Sequence, residues 1–327
     1  MSAIVRIGTC SWADETLTKV WYPPGVRSGE ARLRHYAERF DTVEANSTYY
    51  RLPDAELVGN WAERTPDGFT MHVKAFGVMT RHPVKLEAIP EDLRDAMPVD
   101  EKGRVDRPPR ELRAEIFRRF SRALEPLRAA GKLGGILLQF PSYVVYKPAS
   151  LDYIEWARDQ LPGDELLVEF RHRSWLDEDN GAQTLSFLES RGLGYVIVDA
   201  PKTDAKNLVP TVVARTSGTA YVRFHGRNAA TWNKRTGSAA ERFDYLYSRE
   251  ELSEWVEPLR ELALDAENVY AMFNNNGRSP TPPDLDALDG VALGEVAGDP
   301  DKGYVAQAPA NALMLRKLIA NAGVAVS

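Results

Sequence analysis

Residues Phe40–Pro53 read FDTVEANSTYYRLP, and the reading of this stretch decides the fold. In Thr42–Ser47, Thr42, Glu44 and Asn46 share one face and Val43, Ala45 and Ser47 the other, because successive side chains of a strand point oppositely. One face is polar and carries a carboxylate. A surface strand would turn that face to water, whereas a strand lining a barrel would aim it at the axis. The rest of the chain decides between the two.

Outward from this stretch, β-rich runs alternate with amphipathic helical runs. Strands are expected at Ile4–Cys10, Asp41–Ser47, Phe69–Phe76, Leu133–Phe140, Glu165–Arg171, Gly194–Ala200, Thr219–Gly226 and Asn268–Asn275. Helices are expected near Gly29–Arg39, Asp54–Arg64, Arg110–Ala130, Ala149–Gln160, Gly181–Arg191, Arg249–Leu264 and Ala310–Ala320. The connection after the sixth strand carries a β-like TVVAR, Thr211–Arg215, in place of a helical pattern. Eight such units in 327 residues are the pattern of a (β/α)8 TIM-type barrel, read as a single domain over 1–327. The rival is an open doubly wound sheet. It would usually open with a Gly-rich phosphate turn, and no G-x-G-x-x-G or Walker sequence occurs. Long connections, Val78–Pro109 and Gly277–Pro309, follow the third and eighth strands.

Composition narrows the class. With 43% hydrophobic and 27% charged residues, the chain can bury a sizeable core without staples. Its one cysteine, Cys10, rules out an internal disulfide. A net charge of −6, from 41 Lys+Arg against 47 Asp+Glu, argues against nucleic acid as a general partner. No membrane partner is expected, since no run reaches the length of a span. The start, MSAIVRIGTC, lacks a leader pattern, so a cytoplasmic protein is expected. Oligomeric state is not legible.

Alternation assigns a face to each residue of seven strands. It places Glu44, Asn46, Lys74, Gln139, Glu169, Arg171, Asp199, Arg223, His225 and Asn274 inside, all late in their strands. Late positions form the C-terminal mouth, where barrels of this kind carry their sites. A buried ion pair adds little net stability and an unpaired buried charge costs several kcal/mol, so so many inward charges point to a ligand.

Lys74, Arg171 and Arg223, with Arg227, suit an anion. Asn46, Gln139, Asn274, Asn275 and Trp12 are expected as further substrate contacts, with turns HGRN (His225–Asn228) and FNNNG (Phe273–Gly277) offering amides. Glu44, Glu169, Asp199 and His225 are the acid/base candidates. Tyr49, Tyr50, Trp175 and Trp232 join Trp12 at the rim, where they could stack on a sugar or seal the barrel. His72 is read as a core histidine, His35 as an exposed helical one, and His172 as a rim residue. Cys10 reads as a packing residue. No cofactor is expected. The alternative is a divalent metal on Glu44, Glu169, Asp199 and His225, although no H-x-H, H-E-x-x-H or cysteine cluster supports it. The expected function is an enzyme acting on a small anionic metabolite, phosphorylated or sugar-like, by acid/base chemistry. The alternatives are a metal-dependent hydrolase or phosphodiesterase and a non-catalytic binding protein.

The motifs IGTCSW (Ile7–Trp12), FDTVEANSTYYRLP, FTMHVKA (Phe69–Ala75), LLQFP (Leu137–Pro141), VEFRHRSW (Val168–Trp175), YVRFHGRN (Tyr221–Asn228), FNNN (Phe273–Asn276) and NAL (Asn311–Leu313) run through the whole chain. In this order the chain resembles the bacterial YecE-like family, catalogued as a domain of unknown function. The resemblance implies a TIM-type barrel and no reaction. Its most typical motifs fall on Glu44, Asn46, Lys74, Gln139, Glu169, Arg171, His172, Arg223, His225, Gly226, Asn274 and Asn275. Cys10 stands where the family pattern more often has serine, and the long connections depart from it too.

Overall fold

The computed structural model describes residues 2–232, 239–282, 288 and 291–327. Eight parallel strands form a closed barrel: β1 Val5–Thr9, β2 Thr42–Ala45, β3 Thr70–Lys74, β4 Leu133–Gln139, β5 Leu166–Glu169, β6 Gly194–Asp199, β7 Thr219–Phe224 and β8 Asn268–Phe273. Each lies next to its neighbours in the chain, and β8 pairs with β1 from Val5↔Val269 to Thr9↔Phe273. This is the TIM-type arrangement that the alternation of patterns predicts. The strands stop short of the expected ends, so Asn46, Arg171, His225 and Asn274 sit just beyond them.

Helices follow the expected stretches, with two breaks. Arg110–Ala123 ends at Leu124 and restarts as Glu125–Ala129, with Pro126 in its first turn. Arg249–Ser253 and Val256–Asp265 are likewise separate. Polar residues start several of them. Ser28 accepts from Ala31 N at 3.0 Å and Asp54 from Leu57 N at 2.8 Å, and Ser248 forms a capping box with Glu251. The β-like Thr211–Arg215 run forms no strand. The connection after β3 holds a short antiparallel pair, Val84–Lys85 with Arg104–Val105. After β8, Arg278–Pro280 pairs with Tyr304–Ala306; residues 283–287 and 289–290 of that connection lie outside the described residues. No described helix is long and apolar enough to cross a membrane.

Register fixes which face each strand turns inward. Arg223 lies beside Met272 on one side and Val198 on the other, and Phe224 beside Phe273 and Asp199. Phe224 and Phe273 stack at 4.5 Å, and Phe224 also meets Trp255 at 5.1 Å, so this is the helix-facing row. Asp199 therefore faces the helices, with Ile197, and Val196 and Val198 turn inward. This corrects the face that alternation assigned. GYVIVDA is apolar at nearly every position, and a strand buried on both sides carries no polarity signal to choose between them.

Two compact units gather the residues: 1–44, 196–204 and 210–327 in the first, 45–195 and 205–209 in the second. In the first, Gly8 lets β1 approach β2. A Cβ there would stand 2.3 Å from Thr42 O, and Tyr36 OH reaches both Thr9 N (2.8 Å) and Thr42 O (3.0 Å). In the second, Gly134 leaves room for the buried His72 ring, which a Cβ would meet at 2.7 Å. Phe170 stacks on Trp175 at 4.1 Å there.

Candidate functional site

In the second unit the polar ends of β3, β4 and β5 form one group. Lys74 Nζ donates to Gln139 Oε1 at 3.0 Å, and Arg171 Nη2 reaches the same oxygen at 3.3 Å. Glu169 is fully buried and ion-paired with Arg171, whose side chain stays 14% exposed. The Lys74 ammonium lies 4.6 Å from the centre of the Tyr49 ring. Lys74, Gln139 and Arg171 are all half-buried, as are Asn46, just before the turn Ser47–Tyr49, and Tyr49 itself.

His82 completes this group, and the sequence reading missed it. It lies on the long connection after β3, edge-on to Tyr49 at 5.1 Å, with Nδ1 2.9 Å from Thr80 Oγ1. Burial pushes its pKa down to about 3, and the charges of Lys74 and Arg171 push the same way. It is a neutral imidazole at pH 7. The signal that could have found it is RHP, Arg81–Pro83, one short turn (Gly77–Thr80) after the strand whose end carries Lys74. His172 pairs Nδ1 with Ser174 Oγ at 2.9 Å and stays half-buried. Tyr50 is 72% exposed, and Trp175 is fully buried.

The first unit holds a second group of different character. Glu44 Oε1 accepts from Arg223 Nη2 at 2.6 Å and Oε2 from Tyr221 OH at 2.9 Å, and all three residues are fully buried. Cys10 is buried against them. Burial pushes its thiol well above the ordinary range, the Glu44 charge adds to that, and Arg223 opposes it. The thiol is therefore protonated and a poor nucleophile. Tyr221 is raised by burial and then by Glu44, so it remains a donor. At the end of β7, His225 is fully buried, with Nδ1 3.0 Å from Asn274 Nδ2. With the amide donating, Nδ1 accepts and the imidazole carries its proton on Nε2. Asn275 donates to Tyr245 O and Asn311 Oδ1, both at 2.8 Å. Trp12 is buried, its carbonyl accepting from Tyr22 OH. Trp232 is buried too.

Asp199 is a brace. Its carboxylate accepts from Tyr247 OH (2.6 Å), Trp255 Nε1 (2.9 Å) and the Arg227 fork (2.7 and 3.0 Å). Tyr247 OH in turn accepts from Gly226 N at 2.9 Å. Arg227 also reaches Glu254 at 3.0 Å. The turn carrying His225 and Arg227 is thus tied to the helix layer, and alternation could not have named Tyr247 or Trp255, which lie far along the chain.

Glu44, Glu169, Asp199 and His225 do not gather as a ligand set. Among the described residues no three His, Cys, Asp or Glu side chains are grouped to hold a metal ion. Asp199 faces the helices, and Glu44 is closed in by Arg223 and Tyr221.

Residues 6–299 match the family model described as "Protein of unknown function DUF72". The UPF0759 protein YunF of Bacillus subtilis is 31% identical over 277 residues, 84% of this chain and 89% of YunF. The crystal structure of a DUF72 family protein from Thermotoga maritima superposes with a TM-score of 0.70 at 30% identity, over 97% of this chain and 99% of that one. One from Enterococcus faecalis gives a TM-score of 0.72 at 23% identity, over 97% and 96% of the two chains.

Proposed function

The chain belongs to the DUF72 family of proteins of unknown function, and from that premise we propose that it is an enzyme acting on a small anionic, phosphorylated or sugar-like metabolite by acid/base chemistry. One observation carries this reading: Lys74 and Arg171 converge on Gln139 Oε1 at 3.0 and 3.3 Å while remaining half-buried at the ends of β3 and beyond β5. With Arg171 paired to Glu169, the two cations on one amide oxygen leave a net positive charge there, and it adds to the burial that depresses the pKa of His82. A phosphate or carboxylate would be held there by charge-assisted bonds. The Tyr49 ring beside Lys74 supplies an apolar face for the rest of the molecule.

An anion bound at Lys74 and Arg171 cancels the part of the His82 shift that these charges cause. The imidazole then gains basicity as the ligand arrives, which suits a general base engaged only in the complex. Glu169, ion-paired with Arg171, is the second proton-handling candidate. The buried Glu44–Arg223–Tyr221 group fits a supporting role, since both carboxylate oxygens already accept bonds.

The test is a panel of phosphorylated and carboxylated metabolites, read by thermal stabilisation and then by turnover. A compound that stabilises the wild type should lose at least about tenfold in affinity in Lys74→Ala and in Arg171→Ala. Unchanged binding in both variants would remove the anion role. Binding without turnover of any stabilising compound would leave a binding protein.

A further inference from the structure

A cavity of about 220 Å³ lies in the second unit under the connection after β3, and Arg81, Arg113, Lys147 and Ser150 line it. Arg107 and Asp106 line it as well and face each other at 3.5 Å, so four cations surround a single carboxylate among the described lining residues. No described carboxylate forms an ion pair with Arg81, Arg113 or Lys147. Arg113 is 7% exposed and Ser150 1%, yet Arg113 Nε and Ser150 Oγ have no hydrogen-bond partner. Leaving such atoms unmade costs about 1–3 kcal/mol each, which a ligand would recover.

Two further features point the same way. The cavity takes in the first turns of two long helices, Arg110–Ala123 and Pro148–Asp159, whose N-caps, Pro109 and Lys147, make no side-chain cap. Pro148 has no N–H, and Ser150 N and Arg113 N already donate to Lys147 O and Pro109 O, so the helix starts contribute the positive ends of their dipoles, which favour an anion. Arg81 (φ 67°) and Arg107 (φ 49°) are the two non-glycine residues of positive φ among the described residues, and both line this cavity. Side chains held in that region cost about 1–3 kcal/mol and cluster where geometry serves a site. The Arg81 and Arg113 guanidinium groups are both held near the Tyr153 ring, at 5.2 and 5.1 Å, which fixes their direction without neutralising them.

We propose that this cavity is a binding site for a phosphate group. Arg81 and Arg113 supply N–H forks, Ser150 Oγ a hydroxyl and Lys147 a point charge. Its volume is below the roughly 300–1,000 Å³ of a drug-sized pocket, so it fits a free phosphate or a compact phosphomonoester. Neither Lys74 nor Arg171 lines it, but His82 does, so the cavity adjoins the group described above while the phosphate contacts proposed here, Arg81, Arg113, Lys147 and Ser150, are not part of that reading.

The experiment is calorimetric titration of the full chain with inorganic phosphate and, separately, glycerol phosphate at constant ionic strength. The wild type should bind at least one of them saturably. The double variant Arg81→Gln/Lys147→Gln and the single variant Ser150→Ala should bind at least about tenfold more weakly, with circular-dichroism melts showing that both fold. In the Lys74→Gln background, where binding at that other group is removed, a saturable component should remain, and it should be the one that these cavity variants weaken. Tighter binding of either probe supports the site and names its form of phosphate. No saturable binding of either probe overturns the proposal. So does binding that survives in the Arg81/Lys147 double variant and is lost in Lys74→Gln.

Discussion

At the scale of single residues, the imidazole of His82 reports the field around it. Its folded pKa of about 3 lies below the ~6.5 of an unfolded histidine. Between those values the unfolded chain binds the proton and the folded one does not. The contribution of His82 to stability is therefore fully present above ~6.5 and falls away as the pH drops toward 3. Urea unfolding of wild type and His82→Gln should show it: the wild type should lose more stability than the variant between pH 7 and pH 4. Equal losses would mean that the ring is neither buried nor charged against as strongly as its depressed pKa requires. Cys10 gives a second check. A buried thiol held protonated should react with a thiol reagent only after denaturation. Rapid labelling of the native protein would contradict the burial described here. Neither property could be read from the sequence, because each depends first on burial and then on charges from other strands or loops.

At the scale of elements, two contacts set the geometry. β1 can lie against Thr42 only because position 8 has no Cβ. Gly8→Ala puts a carbon 2.3 Å from a backbone oxygen, which cannot rotate away, so β1 and β2 must part. The expected loss is about 1–3 kcal/mol, measurable by denaturant titration. The other contact is the Asp199 brace. Asp199→Ala leaves Tyr247 OH and Trp255 Nε1 without their acceptor in a buried setting and takes from Arg227 its bidentate partner, leaving it Glu254 and Glu251. It should destabilise the protein by about 3–5 kcal/mol. A loss below about 1 kcal/mol would show that water replaces the carboxylate. The alternation pattern offered Asp199 as an inward acid/base candidate, the wrong face, since its neighbours on β6 are apolar on both sides.

At the scale of the molecule, the expectation of one domain over 1–327 becomes a proposal. A barrel has no edges only while every strand is present, so partial loss exposes unpaired backbone. Chemical unfolding should therefore be one transition, with tryptophan fluorescence and far-UV circular dichroism coincident. Two separated transitions would divide the chain. Because the carboxylates and His225 do not assemble as ligands among the described residues, adding a chelator should leave the melting temperature unchanged. A drop on chelation would revive the metal reading.

The sequence by itself determined the barrel and most of its elements. Period-2 and period-3.6 patterns are local, and each strand and helix shows them within its own few residues. It also turned Lys74, Gln139 and Arg171 to one face, because the opposite face of their runs is plainly apolar, but it placed them among ten inward residues without separating them as a group. Only the tertiary structure decided which charges are occupied. Glu44 and Asp199 meet their partners Arg223, Tyr221, Tyr247 and Trp255 across separations of 48 to 179 residues. The tertiary structure also brought His82 to Lys74 and opened the arginine-lined cavity. These depend on distances between chain-distant side chains, which no local pattern encodes.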